Sequence, residues 1–160
     1  MRILSALALT ATVFLCLDAA AAEPLLVEPF GIRFTPPPGW RLLQSRPAGW
    51  EGPGTRVGGI GGTVQFMVAY APELKGTPSR IHAQVQTRLG WSESPKPESR
   101  SVGKRPLWAS RTAASGASAF LLTLTGSKGT RLLYFMAPGS FTPEDELGIE
   151  RLLGSVEWTD

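Results

Sequence analysis

The chain has 160 residues, a formal net charge of +3 and 42% apolar residues, with a sequence pI near 9.4. That length fits one folding unit, and the scattered basic residues describe an ordinary basic surface rather than a nucleic-acid footprint. One histidine, His82, and one cysteine, Cys16, leave no material for multi-histidine metal sites or thiolate clusters.

Arg2 precedes an apolar run from Ile3 to Leu17, and small residues follow from Ala19 to Ala22. A charged start, an apolar core and an A-x-A-like exit form the layout of a secretory signal peptide, with cleavage expected after Ala22. The run is short of the roughly 20 residues a bilayer span takes. Leu15 before Cys16 does not suit acylation of that cysteine. Residues 1–22 therefore read as a leader, and 23–160 as a single exported domain, periplasmic or secreted. No transmembrane anchor is expected after leader cleavage. Cleavage also removes Cys16, so the mature domain must hold together by packing alone, which its length allows.

LLVEPFGIRFT, starting at Leu25, reads as one or two short strands broken near Pro29–Gly31. FTPPPGW follows from Phe34 to Trp40. Prolines donate no N–H and push the preceding residue out of the helical region. The expectation is a hairpin-like corner, with Trp40 swung back over the core where WRLLQ resumes as a strand. From Ser45 to Gly62 the chain carries seven glycines and two prolines. It reads as a long loop, or as a loop and a ragged strand around Thr55–Ile60. GGIGG lacks the pattern of a phosphate-binding loop, and its glycines suit tight turns or a bulged strand edge.

TVQFMVAYAP places Val64, Phe66, Val68 and Tyr70 on one face and Gln65, Met67 and Ala69 on the other, as a buried central strand would. TPSRIHAQVQTRLG predicts a helix capped at Thr77, opened by Pro78 and stopped at Gly90, with Ile81, Val85 and Leu89 on one stripe. His82 sits beside that stripe. Its neighbours four residues away, Pro78 and Gln86, complete no metal or acid–base site, so it reads as a partly exposed helix histidine. A polar connection then enters a strand near Ser99–Val102. PLWASRTAA, ASAFLLTLTG and TRLLYFMAPG give three further strands, the last two joined at the GSKG turn. FTPEDELGIERLLGSVEW predicts the last helix, capped by Thr142 and opened by Pro143, with Leu147, Ile149, Leu152 and Leu153 as its apolar side. Antiparallel strands interleaved with two helices make an α+β domain, a central antiparallel sheet with helices packed on it.

The early corner (Phe34, Pro37, Gly39, Trp40), the VQFMVAY strand, one capped helix, a basic-turned hairpin and the closing LLGSVEW resemble the PsbP/Mog/DcrB-like superfamily. The resemblance covers about Glu28 to Trp158 and implies a PsbP/Mog-like αβα sandwich. It also places the chain among bacterial exported members. Members of that superfamily do different jobs, from supporting the oxygen-evolving complex to binding the small GTPase Ran, so the resemblance implies no single function. The histidine and carboxylate metal sites of PsbP have no counterpart beside a lone His82.

Any Ser-His-Asp triad would have to use His82, and the domain's aspartates are Asp145 in a helix first turn and Asp160 at the end. No G-x-S-x-G elbow is present. No catalytic, cofactor or metal residue is therefore assigned, and the chain reads as non-enzymatic. Trp40, Trp108 and Trp158 read as core, and Trp91 as part of the helix stop. Trp50, with Arg46, Glu51 and Arg56 close by, has the composition of a binding hot spot. The leading expectation is a module that binds an envelope protein or a cell-wall or membrane component, not nucleic acid, through Trp50, Arg46 and Arg56. Two alternatives stand beside it: a small-ligand carrier with a cleft between sheet and helix, and a weak hydrolase using glutamates.

Overall fold

The computed structural model describes residues 24–27, 31–43, 55–114 and 116–159. The order is β1 (Leu25–Val27), β2 (Ile32–Phe34), β3 (Arg41–Leu43), β4 (Thr55–Gly61), β5 (Val64–Ala71), α1 (Pro78–Arg88), β6 (Glu98–Val102), β7 (Arg105–Ala114), β8 (Ala117–Gly126), β9 (Gly129–Pro138), α2 (Pro143–Gly154) and β10 (Glu157–Trp158). A seven-stranded sheet runs β3-β4-β5-β9-β8-β7-β6, and a three-stranded sheet runs β1-β2-β10. Every pairing is antiparallel. The fold is α+β, with helices packed on the large sheet.

The middle of that sheet is apolar on both faces, which forces a cover on each. Phe66, Val68, Leu122, Leu133 and Phe135 face one way, against Ile149, Leu152 and Leu153 of α2 and Ile32 and Phe34 of the small sheet. Met67, Ala69, Leu121 and Leu132 face the other way, against Ile81 and Val85 of α1. The layers are thus α1, the large sheet, then α2 with the small sheet.

Both helices have termini that account for their lengths. At the end of α1 the Gly90 N–H bonds Thr87 O and the Trp91 N–H bonds Gln86 O, with Gly90 at φ +77. This paired closure is the stop that Gly90 and Trp91 suggested. At the start of α2, Thr142 and Asp145 form a reciprocal capping box. Asp145 Oδ2 also accepts from Thr63 Oγ1 at 2.7 Å, tying the helix to the β4–β5 turn. Burial pushes the Asp145 carboxyl up, but hydrogen bonds from Thr142 and Thr63 outweigh it and hold the group below its ordinary value.

Three expectations need correction. The proline corner is not a hairpin: β2 lies in the small sheet and β3 at the edge of the large one. The rigid segment carries the chain between layers, because without ladder donors it joins neither sheet. Leu147 belongs to no apolar face; it is 52% exposed, being out of step with Ile149, Leu152 and Leu153 around the helix. Finally, α2 ends at Gly154 rather than running to Trp158. The Ser155 hydroxyl turns back to Leu152 O at 2.8 Å and accepts the Thr35 N–H at 2.9 Å. Glu157 and Trp158 then pair with β2.

Trp40 does fold back as expected. Its ring lies 5.4 Å from that of Phe66 and packs over Gly61, while Gly148 of α2 approaches from the other side; a Cβ there would meet the ring at 2.6 Å. The glycines of GGIGG thus serve as a floor without side chains under two aromatic rings, Trp40 over Gly61 and Phe66 over Gly59. Gly61→Ala is expected to cost about 2–3 kcal/mol through overpacking. Chemical denaturation of the variant checks this, and a loss under about 0.5 kcal/mol would show that Trp40 does not rest there.

Candidate functional site

The most polar part of the interior lies where α1 crosses β7 and β8. The register places Trp108 opposite Thr123 and Ser110 opposite Leu121, so Ser110 and Thr123 sit on the face that α1 covers. His82 meets both. Its Nδ1 is 2.8 Å from Thr123 Oγ1 and its Nε2 is 2.7 Å from Ser110 Oγ. Gln86, one turn on, donates from Nε2 to Ser110 Oγ at 2.9 Å and to Pro95 O at 3.1 Å.

His82 is therefore not a partly exposed helix histidine. It is 0% exposed. Its two partners come from strands 28 and 41 residues away, which helical spacing could not supply. One proton assignment satisfies the whole cluster. Ser110 Oγ, already accepting from Gln86, donates to His82 Nε2, and the His82 Nδ1–H donates to Thr123 Oγ1. The ring is then neutral. Burial pushes its pKa down from 6.5 to about 4.

The same contacts explain an opening at the sheet edge. β6 pairs β7 only from Val102↔Arg105 to Glu98↔Ala109, whereas β7 continues with β8 to Ala114↔Ala117. Pro95 and Pro97 carry no ladder donor, and Gln86 holds the Pro95 carbonyl toward α1, where the chain ahead of β6 leaves β7. Among the described residues no strand pairs Ser110–Ala114 on the side away from β8. A cleft of about 510 Å³ opens there, lined by Lys96, Glu98, Ser99, Arg100, Ser110 and Arg111 among others. A hollow of about 350 Å³ adjoins it, with Arg111, Ala113, Ser118, Phe141 and Glu146 in its wall.

On the α2 side, two arginines cover the edge of the core. The Arg111 guanidinium stands 4.1 Å above the buried Phe120 ring and donates to both carboxylate oxygens of Glu146, at 2.6 and 2.9 Å. Arg100 reaches the same ring at 5.5 Å and pairs with Glu150. Glu146 and Glu150 lie four residues apart on α2, so one helix face holds both cations at the mouth of the cleft.

Of the residues singled out from sequence, Arg46 and Trp50 lie outside the described residues. Arg56 is on β4 opposite Ala69, near the other edge of the sheet from β6. Of the glutamates considered for hydrolysis, Glu98 borders the cleft and Glu73 pairs with Arg88 at 3.7 Å. Among the described residues no group of three or more His, Cys, Asp or Glu side chains could hold a metal ion. No helix among them is long and apolar enough to cross a membrane.

No family model and no curated protein sequence matches the chain. A solved structure from Bacteroides thetaiotaomicron VPI-5482 shares the fold, with a TM-score of 0.55 at 9% identity over 88% of this chain and 49% of that one. The immunity protein TplEi of the Pseudomonas aeruginosa T6SS, complexed with "L" peptide, is similar with a TM-score of 0.42 at 15% identity, over 65% of this chain and 47% of that one. The chain thus spans about half the length of these neighbours.

The depressed imidazole sets a pH dependence. A folded pKa below the unfolded one means that the stability His82 contributes is fully present above pH 6.5 and is lost as pH falls toward about 4. The loss across that window is expected to reach about 3 kcal/mol at most. His82→Gln should flatten the dependence between pH 6.5 and 4, where the wild-type curve falls; denaturation at several pH values compares the two. Equal slopes would show that the ring is not buried in its neutral form.

Proposed function

We propose that this chain is an exported, non-catalytic binding module that takes a protein or another envelope component along the edge of its large sheet. One observation carries the reading: β7 outruns β6, so a stretch of strand edge opens into a cleft walled by Lys96, Arg100 and Arg111. Sheet edges are normally paired, covered or kept short, and an edge left open beside shaped hollows is a surface available to a partner.

The buried cluster supports a non-catalytic reading. Ser110 and His82 stand at the distance of a nucleophile and its base. However, the imidazole is oriented by a threonine hydroxyl instead of a carboxylate, and burial has made it a weak base. Ser110 is only 6% exposed and its oxygen is already held by Gln86. A general base needs a pKa near working pH and reach to a substrate proton. The cluster instead serves to hold the chain ahead of β6 away from β7.

Export rests on the leader-like residues 1–22 and on the sequence resemblance to exported PsbP/Mog-type domains. Arg46, Trp50 and Arg56, singled out by composition, stand as the second candidate contact. Affinity capture from an envelope fraction separates the two. Ala113 is exposed beside the hollow, so Ala113→Arg is expected to reduce capture at least about tenfold while leaving thermal stability within the usual range for surface changes. Loss with Trp50→Ala and not with Ala113→Arg would move the contact to the β3–β4 side. Capture of nothing by the wild-type protein would count against a binding module altogether.

A further inference from the structure

The geometry points to an extended peptide segment that joins β7 as an added strand, with its acidic side chains toward Lys96, Arg100 and Arg111 and an apolar one beside Ala113. This rests on the binding-module reading and names the occupant and its mode of attachment.

The backbone supplies the first part. Two residues separate β7 from β8, and their ladder closes at Ala114↔Ala117. The closing pair across a two-residue connection exchanges both backbone bonds, and bonded and non-bonded pairs then alternate along the ladder. Ala114, Thr112 and Ser110 therefore bond to β8, while Ala113 and Arg111 direct N–H and C=O away from it. The β6–β7 hairpin agrees: it closes at Val102↔Arg105, so Arg105, Leu107 and Ala109 are the positions bonded to β6. Arg111 and Ala113 continue that series with no strand opposite them among the described residues. Donor and acceptor pairs repeated at two-residue spacing match another extended backbone and no compact ligand.

The side chains supply the second part. Residues paired directly across from Arg111 and Ala113 would project on the face those two share, toward α2. Across from Ala113 the small methyl leaves the hollow bounded by Phe141 and Ser118 open, which suits one apolar side chain of modest size. Across from Arg111 the cleft carries Lys96, Arg100 and Arg111 against Glu98, with Glu146 and Glu150 already on the two arginines, so Lys96 and the spare guanidinium N–H groups are what an acidic side chain would meet there. Arg111 and Arg100 are held in place by Glu146 and Glu150, and a guanidinium so oriented keeps further N–H donors for a second carboxylate.

The test uses the mature protein and a capped peptide of about seven residues, in which threonine alternates with glutamate, valine and glutamate. Amide exchange read residue by residue should find Arg111 and Ala113 fast and Ser110 and Thr112 slow in the free protein. The peptide should slow the Arg111 and Ala113 amides at least about tenfold, and lysine in place of glutamate should abolish the effect. The same peptide N-methylated at the residues facing β7 keeps every side chain and loses the backbone donors. It should not bind, and equal binding would overturn strand addition. Ala113→Pro removes the outward donor without taking a bond from β8, an edge change that strands tolerate; it should weaken the unmodified peptide's binding. Should that variant not fold, the N-methylated peptide decides alone. An envelope partner captured equally by wild type and by folded Ala113→Pro would overturn the added strand and leave the binding-module reading intact. Absence of both peptide binding and partner capture would overturn the two together.

Discussion

The large sheet is apolar on both faces at its centre, and the rest of the molecule follows from the need to cover each face. In β5, β8 and β9 most side chains on both faces are buried. A single helix does not cover seven strands. On one face α2 is therefore supplemented by the small sheet, and the proline segment delivers the chain from that small sheet to the edge of the large one. Trp40 closes the join, and the flat glycine floor of β4 is what allows a ring of that size to lie down there. The last residues return for the same reason: Trp158 packs on the core and gives its indole N–H to Val102 O at 2.8 Å.

The other face has a different solution. α1 covers the middle strands with Ile81 and Val85, but toward β7 the interface turns polar. Burying His82 and Gln86 there costs free energy unless every donor and acceptor is matched. The cluster meets that condition through Ser110, Thr123 and the Pro95 carbonyl. An apolar pair in these positions would have packed α1 on the sheet as well or better. What it could not do is fix the chain ahead of β6 in space. The two hydrogens of one Gln86 amide bind a strand residue and a connecting residue at once, and the separation between β6 and β7 begins there. The buried cluster thus anchors the chain where it parts from β7, and Pro95 and Pro97, which have no N–H to give a ladder, end the pairing at the same place.

Much of this was legible in the chain. The apolar alternation of VQFMVAYA, the turn at GSKG, the proline-started helices and the Gly90 stop are local signals, and each element formed where its signal lay. The misread features were those decided by partners far away in sequence. His82 looked exposed because a helix shows only its neighbours at three and four residues; Ser110 and Thr123 enter only once α1 docks. Gln86, four residues on, was visible but carried no meaning without Pro95 and Ser110 beside it. The final strand was absorbed into α2 because LLGSVEW continues an apolar run, and only pairing with β2 makes Glu157 and Trp158 extended. Arg111, at the centre of the candidate site, gave no signal at all: its role comes from where β6 happens to end.

An open edge is also a hazard, since any other extended chain can pair with it. Here the exposure is short. Among the described residues, Arg111 and Ala113 are the outward positions of β7 with no strand opposite, and the β7–β8 ladder ends at Ala114↔Ala117 directly after them. Arg111 places a charge in the middle of the segment, and Glu146 and Glu150 surround it with the opposite sign. A second copy paired antiparallel through both outward positions would set Arg111 across from Ala113, so it is the shortness of the free run, with a charged side chain at its centre, that limits self-pairing. Function is assigned to this edge because its outward backbone groups, its hollows and its charged side chains all lie among the described residues.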